Sequence, residues 1–242
     1  MLGSSSVGWP PHRYREERCA FVVRRMTVVH ENEMTYGEAL QAVTWVRDFR
    51  RGLLTTREIR LTGENGRPIA SASQEWVHVS FGVDETGRVK LRPSRAAPEL
   101  LAAFPEEALD ESPELPQLDR RADGTRHSTR IPLRLTEMDP LGHLNHPAYV
   151  DLVDEHTSQI MLGVGLDPVQ LKPIAEQVQF RAGMEAPGDA TVRTRLVGWS
   201  RNHCVLAHSV LRPDGDVAAE ATTVRTLAGE GAGRLAAALE AP

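Results

Sequence analysis

Apolar residues recur along this chain at two different periods, and the places where the period changes mark the elements. Short runs in which apolar and polar residues alternate predict strands at 21–23 with 26–29, 40–46, 54–61 and 69–79. Asn65-Gly66 lies between the last two and is a strong signal for a tight hairpin. The first half therefore reads as four antiparallel strands with short turns, a meander. In the second half a strand at 130–135 leads into a polar loop. Tyr149, Leu152, Val153, His156 and Ile160 then recur at helical spacing. This spacing predicts a helix over 147–162, with Asn145 or His146 as N-cap and Pro147 in the first turn. Gly163-Val164-Gly165 ends it. Strand runs follow at 174–181, 190–197, 202–211 and 217–227, with a turn at Pro213-Asp214-Gly215.

The remaining stretches lack either period. Residues 1 to about 19 read as irregular. Residues 92–127 carry Pro93, Pro98, Pro105, Pro113 and Pro116 among scattered charges and read as a linker, with one helical turn at 100–104. The Ala/Gly-rich tail, 229–242, has little to bury, although 235–239 suits a short helix. The two halves echo each other at a spacing of about 150 residues. Gly37-Glu38-Ala39 lies against Gly188-Asp189-Ala190, and the run 66–72 against 215–221. The expected division is 1–91, a linker at 92–127, 128–228, and the tail.

Composition narrows the function classes. The 242 residues suffice for two modest domains, and 40% hydrophobic with 25% charged residues is ordinary for a globular protein. A net charge of −5 gives no footprint for nucleic acid or an anionic membrane. No apolar run approaches the roughly 20 residues that cross a bilayer. The N-terminal stretch has neither the basic segment nor the apolar core of a signal peptide. Two cysteines, Cys19 and Cys204, suit a reducing compartment, with the cytoplasm as the default expectation.

The chemistry concentrates in Thr136–Asp154, TEMDPLGHLNHPAYVDLVD. Asp139-Pro140, Gly142-His143 and Asn145 place a carboxylate and an imidazole at a helix entrance. The first turn of a helix offers unpaired N–H groups and a positive dipole end, which can hold an oxyanion. That arrangement suits acyl transfer. The pattern Asp139-x-x-Gly142-His143-x-Asn145, with Tyr149 four residues on, resembles the entry to the central helix of hotdog-fold thioesterases. Similar segments occur in the 4-hydroxybenzoyl-CoA thioesterase family and in plant-type acyl-carrier-protein thioesterases. In the latter the motif is Asp-x-Asn-x-His-x-Asn, whose middle Asn is replaced here by Leu141.

The resemblance implies an α+β fold, a tandem hotdog of antiparallel sheets with a central helix in the C-terminal unit and an incomplete N-terminal unit. It places the missing first strand and helix of the N-terminal unit ahead of residue 1. It implies an acyl thioester hydrolase acting on acyl-carrier-protein or acyl-CoA, without cofactor or metal. Asp139 would be base or nucleophile, His143 would orient water or the carbonyl, and Glu185 would position water. Gly142, Leu144, Asn145 and Tyr149 would contact substrate. The alternatives are a hotdog dehydratase and a non-catalytic scaffold that binds an acyl chain or a partner. His143 and His146 lack a third ligand in the sequence for a metal site. His203 and Cys204 alternate to opposite faces of a strand, which excludes a dyad between them. A sheet without its helix would expose residues such as Val22, Val28, Leu40, Val43 and Trp76. A second copy of the chain in a homo-oligomer, an N-terminal extension, or the segment 95–115 anchored by Leu100, Leu101 and Phe104 is therefore expected to cover it.

Overall fold

The computed structural model describes residues 2–83, 85, 89–200, 203–227 and 231–240. Of the predicted elements, Asn202 and the tail positions 229, 230, 241 and 242 lie outside the described residues. The chain divides into two compact units, Met1–Met26 with Asn32–Pro113, and Thr27–Glu31 with Glu114–Pro242.

The first unit opens with two short helices, α1 (Leu2–Ser6) and α2 (Pro11–Glu16), where irregular structure was expected. Pro11 starts α2 in the position proline favours. The local sequence has no apolar period, so what orders it is tertiary. Trp9 is buried against Tyr14, with ring centroids 5.4 Å apart, and Arg13 lies 4.0 Å over the Trp9 ring. The strands are β1 (Cys19–His30), β2 (Gln41–Arg50), β3 (Leu54–Thr62), β4 (Pro68–Val83) and β5 (Val89–Pro93). Asn65 and Gly66 both take left-handed φ, 57° and 71°, in the turn between β3 and β4. The lateral order is β2-β3-β4-β1, with β5 on β4. The meander thus holds for β2 to β4 but not for β1, which lies beside β4.

The stretch expected as a linker splits in two. Its first part belongs to the first unit: α3 (Pro98–Ala103) buries Leu100 with Trp9, Cys19 and Ala96, and Leu101 and Phe104 pack on the same cluster. Beyond it the chain runs along β2. Val46 and Glu106 form a parallel bridge, and the Glu107 N–H donates to the Val46 carbonyl at 2.8 Å. Arg60 donates to the Glu111 carbonyl at 2.6 Å, and Ser112 to Glu58 at 2.6 Å. An edge strand is covered in this way. Prolines suit such a strap as well as they suit a linker, which is why composition alone misassigns it. Leu40 and Val43 remain exposed.

In the second unit the elements are β6 (Arg120–Arg121), β7 (His127–Pro132), α4 (His146–Gly163), β8 (Leu171–Phe180), β9 (Asp189–Ser200), β10 (His203–Leu211), β11 (Val217–Leu227) and α5 (Gly231–Glu240). The order is β8-β11-β10-β9-β6, and β7 also pairs with β9. Its run β9-β10-β11-β8 repeats the order β2-β3-β4-β1 of the first unit, so the echo in sequence is an echo in topology. The second unit adds β7 and the 18-residue helix α4, both without counterpart among the described residues of the first.

Helix α4 buries Ala148, Tyr149, Leu152, Val153, His156, Thr157 and Met161, one stripe at helical spacing. Its first turns pack on Leu133, Val178, Met184, Val192 and Val210. Its last turn packs with Leu196, Leu206, Leu235 and Leu239. The tail is therefore a core element. Leu235 and Leu239 are each 1% exposed, and the Thr125 N–H donates to the Leu239 carbonyl at 2.7 Å. Two leucines one helical turn apart sufficed, although their Ala/Gly-rich surroundings hid them.

A polar chain crosses this core. His156 Nδ1 and Thr194 Oγ1 are 2.8 Å apart, as are Thr194 Oγ1 and His208 Nδ1, and His208 Nε2 reaches Thr223 Oγ1 at 2.9 Å. All four residues are buried and mutually bonded, which offsets the cost of taking them out of water.

Two predictions follow from this packing. Leu100→Ala should lower unfolding free energy by about 2–5 kcal/mol, measured by denaturant titration; a change near zero would mean that α3 does not hold the first unit. The second concerns acid. Burial holds His156 at about 4 and His208 at about 3, both below the ordinary 6.5. Below pH 6.5 the unfolded chain binds more protons than the folded one. The contribution to stability is thus complete above 6.5 and is lost as pH falls towards 4 and 3. Melting temperature should drop across this window, and His208→Gln should flatten the slope. An identical slope in the variant would assign the acid sensitivity elsewhere.

Candidate active site

The loop between β7 and α4 is built around one carboxylate. Asp139 Oδ1 accepts the N–H of Leu141 at 2.8 Å and of His143 at 3.1 Å. The Asp139 backbone N–H donates to the His143 carbonyl at 2.7 Å, and the Gly142 N–H donates to the Asp139 carbonyl at 3.0 Å. Gly142 has φ +81°, a conformation that glycine adopts without a Cβ penalty. Aspartate suits this place because its short carboxylate reaches its own backbone two residues on. The loop is tied down on both sides: the Asn145 N–H donates to the Glu137 carbonyl at 2.8 Å, and the Leu144 N–H to the Met184 carbonyl at 2.7 Å. Asn145 stands at the N-cap position of α4, but its exposed side chain makes no capping hydrogen bond.

Three further side chains gather at the helix entrance. The half-buried His143 ring lies flush against Gly183, where a Cβ would fall 2.6 Å from the ring Cδ2 and 2.9 Å from Cγ. His146, in the first turn of α4, sets its ring edge-on to Phe180, with centroids 6.2 Å apart. Burial holds the His146 imidazole below its ordinary value, and the Asp139 charge partly offsets this. Tyr149 is 3% exposed, packs edge-on to Phe180 and donates its hydroxyl to the Ala182 carbonyl at 3.2 Å. Burial pushes its phenol up to about 12; a hydrogen bond with the Met184 backbone opposes the rise, and the Asp139 charge adds to it. The phenol therefore keeps its proton at neutral pH and gives it to the Ala182 carbonyl.

The structure gathers Asp139, Gly142, His143 and Tyr149 into one place. Leu144 is buried in the core next to Leu133 and Met184, so its side chain anchors the loop. Glu185 is exposed, and its charge acts on Arg212. It is not among the contacts of Asp139 or His143. His146, Phe180 and Gly183 escaped the sequence reading as site residues. Their signal was the run from Phe180 to Gly183 directly after a strand, where an aromatic gives way to small residues.

A second polar cluster was also not legible. Arg225, 5% exposed, is paired with Asp154 of α4 and with Glu176 at 2.5 Å, and His30 lies 3.9 Å from Glu176. Cys204 donates to the Arg225 carbonyl at 3.4 Å, and burial pushes its thiol up to about 11, which leaves it a poor nucleophile. Among the described residues no three His, Cys, Asp or Glu side chains gather as a metal site.

Residues 133–239 match the model of the thioesterase-like superfamily. No curated protein matches the sequence significantly. Among solved structures, one described as an oleoyl thioesterase of Lactobacillus plantarum aligns with a TM-score of 0.71 at 18% identity, covering 95% of this chain and 84% of that one. A 12:0-ACP thioesterase of Umbellularia californica aligns with a TM-score of 0.64 at 17% identity, over 89% of this chain and 76% of that one. For an acyl-ACP thioesterase of Bacteroides thetaiotaomicron the values are 0.62, 15%, 92% and 83%. Likeness at such identities is likeness of fold. The chain is a tandem hotdog protein that resembles the hotdog-fold thioesterases, and its second unit carries the sequence pattern of the thioesterase-like superfamily.

Proposed function

We propose that the chain is an acyl thioester hydrolase that releases a carboxylic acid from acyl-carrier-protein or acyl-CoA. The observation that carries this reading is the Asp139 carboxylate, fixed through one oxygen by two backbone N–H groups at the entrance of an 18-residue helix. With Oδ1 engaged, Oδ2 is the reacting oxygen. It either takes a proton from the attacking water or attacks the thioester carbonyl itself. His143, held against Gly183, orients the water or the carbonyl. The carbonyl oxygen gains charge in either route. The N–H groups of Leu141, Gly142, His143, Leu144, Asn145 and Ala148 all have acceptors, and residue 147 is proline. The first-turn N–H of His146 has no acceptor within the helix and is the donor for that oxyanion, aided by the helix dipole. In the base route, collapse of the tetrahedral species expels the thiolate, which takes up the proton that Asp139 acquired; in the nucleophile route, the thiolate leaves behind an acyl anhydride on Asp139, which water hydrolyses to the free acid and the Asp139 carboxylate, the proton released going to the thiolate. Two buried free cysteines support a reducing compartment, and with it the cytoplasm.

A panel of acyl-CoA and acyl-carrier-protein thioesters with free-thiol detection tests the reading; absence of thiol release from all of them would leave the scaffold alternative. Asp139→Asn should lower turnover by about two to four orders of magnitude, with KM near wild type, the range typical for losing a positioned base. His143→Ala should cost less. Wild-type turnover in Asp139→Asn would remove Asp139 from the mechanism. Gly183→Ala separates position from identity, because its methyl must displace the His143 ring. A displacement of that order should cost about tenfold to a hundredfold in turnover while the melting temperature changes little. An unaffected turnover would show that the place of the His143 ring is immaterial.

A further inference from the structure

The two units differ at one sheet edge. In the second unit β9 ends the run β9-β10-β11-β8, and β7 lies antiparallel along its free side, pairing His127 with Thr194 through Pro132 with Asp189. The equivalent outer strand of the first unit is β2. The echo of Gly37-Glu38-Ala39 with Gly188-Asp189-Ala190 sets 38–43 against 189–194, the stretch that β7 covers. Among the described residues no strand lies along 38–43 on that side. The strap meets β2 only from Val46 to Phe49, where the Glu107 N–H donates to the Val46 carbonyl and Glu106 accepts the Phe49 N–H. Gln41, Ala42, Val43 and Thr44 are all exposed, Val43 by 45%, and Leu40 beside them by 50%.

Alternation fixes which backbone groups are open there. Val46 turns its carbonyl away from β3 and towards the strap, so Thr44 and Ala42 turn their N–H and C=O groups the same way. The register between β2 and β3 is regular from Gln41 to Val46, and nothing interrupts that alternation. A free edge of this kind is a template for another strand, and folded proteins guard such edges with charges and prolines. Other outer strands here carry these guards: Lys90, Arg92 and Pro93 in β5, Arg120 and Arg121 in β6, Arg130 and Pro132 in β7. From Ala39 to Val46 the chain has neither a charge nor a proline.

We infer that two copies of the chain join at this edge, β2 against β2 across a two-fold axis. A two-fold axis makes the added strand antiparallel, which is how β7 occupies the equivalent place in the second unit. Because 39–46 is uncharged, the pairing sets no like charges face to face. One contact fills both open edges and closes the assembly. The pairing is centred on Val43, which meets its own copy, and Ala42 faces the partner subunit's Thr44. This centre joins the open N–H and C=O groups of Ala42 and Thr44, covers the exposed Val43 and keeps the ladder clear of the strap at Val46. The inference stands independently of the hydrolysis proposed above.

Sedimentation velocity of the full chain over a concentration series tests this, and the sedimentation coefficient should rise from that of a monomer to that of a dimer. Val43→Lys sets two ammonium groups face to face at the axis, and Ala42→Pro removes an outward N–H that β3 does not use. Each should weaken self-association by about tenfold or more, with circular dichroism and melting temperature at wild-type values. A cross-link tests the register. Facing residues of a non-hydrogen-bonded pair have Cα atoms about 4.5 Å apart, within reach of a disulfide. Mild oxidation should therefore link two copies of Val43→Cys. Wild type, whose Cys19 and Cys204 are buried, and Leu162→Cys, exposed on α4, should stay unlinked. The cross-link decides the matter if either of the first two variants fails to fold. A wild type that stays monomeric up to its solubility limit, a dimer that persists in both Val43→Lys and Ala42→Pro, or linkage as ready in Leu162→Cys as in Val43→Cys would each overturn the assignment.

Discussion

A sheet with one apolar face must have that face covered, and most of what distinguishes the two units follows from how each meets this demand. In the second unit α4 lays Tyr149, Leu152, Val153 and Met161 across the strands, two clusters of apolar side chains form along its length, and α5 completes the second of them. The first unit has the same strand order but no such helix among its described residues. Among the described residues Trp9, Tyr14 of α2 and Leu100 of α3 pack together in this unit, and the strap that follows Phe104 covers its edge strand β2.

The same helix that fills the second unit also stands at the end of the Asp139 loop. The connection from Pro132, the end of β7, to His146, the start of α4, makes its tight turn at 139–143. Asp139 closes that turn with its own carboxylate. The group that holds the loop is therefore the group proposed to act on substrate. The oxygen that holds the loop is Oδ1, and the role proposed above falls to Oδ2. The connection after Phe180 completes the arrangement by presenting the Met184 carbonyl to the loop and the bare Gly183 backbone to the His143 ring.

What the sequence revealed is what local physics determines. The boundaries of α4, expected at 147–162 and found at His146–Gly163, follow from a 3.6-residue period with a proline at one end and glycines at the other. The Asp139 turn follows from side-chain to backbone chemistry within a few residues. By contrast, α2 and α5 become helical because of what they touch. Trp9 and Tyr14 need Leu100, and Leu235 and Leu239 need Met161 and Leu196, partners that no window of sequence contains. The position of β1 beside β4 and the pairing of Arg225 with Asp154 and Glu176 are likewise matters of topology.

The burial of α5 has a consequence for the order in which the chain can fold as it is made. Leu235 and Leu239 lie downstream of every strand, yet they close the cluster that holds the last turn of α4 and the middle of β9. Strand β8 likewise waits for β11 before its edge is paired. During synthesis Met161, Leu196 and Leu206 are thus exposed for as long as roughly thirty to eighty further residues take to emerge, which is about several seconds at typical translation rates. Contacts so distant along the chain also make folding slow. The first unit, complete by Pro113, has no such wait, so nascent-chain chaperones should find their substrate in the second unit rather than the first.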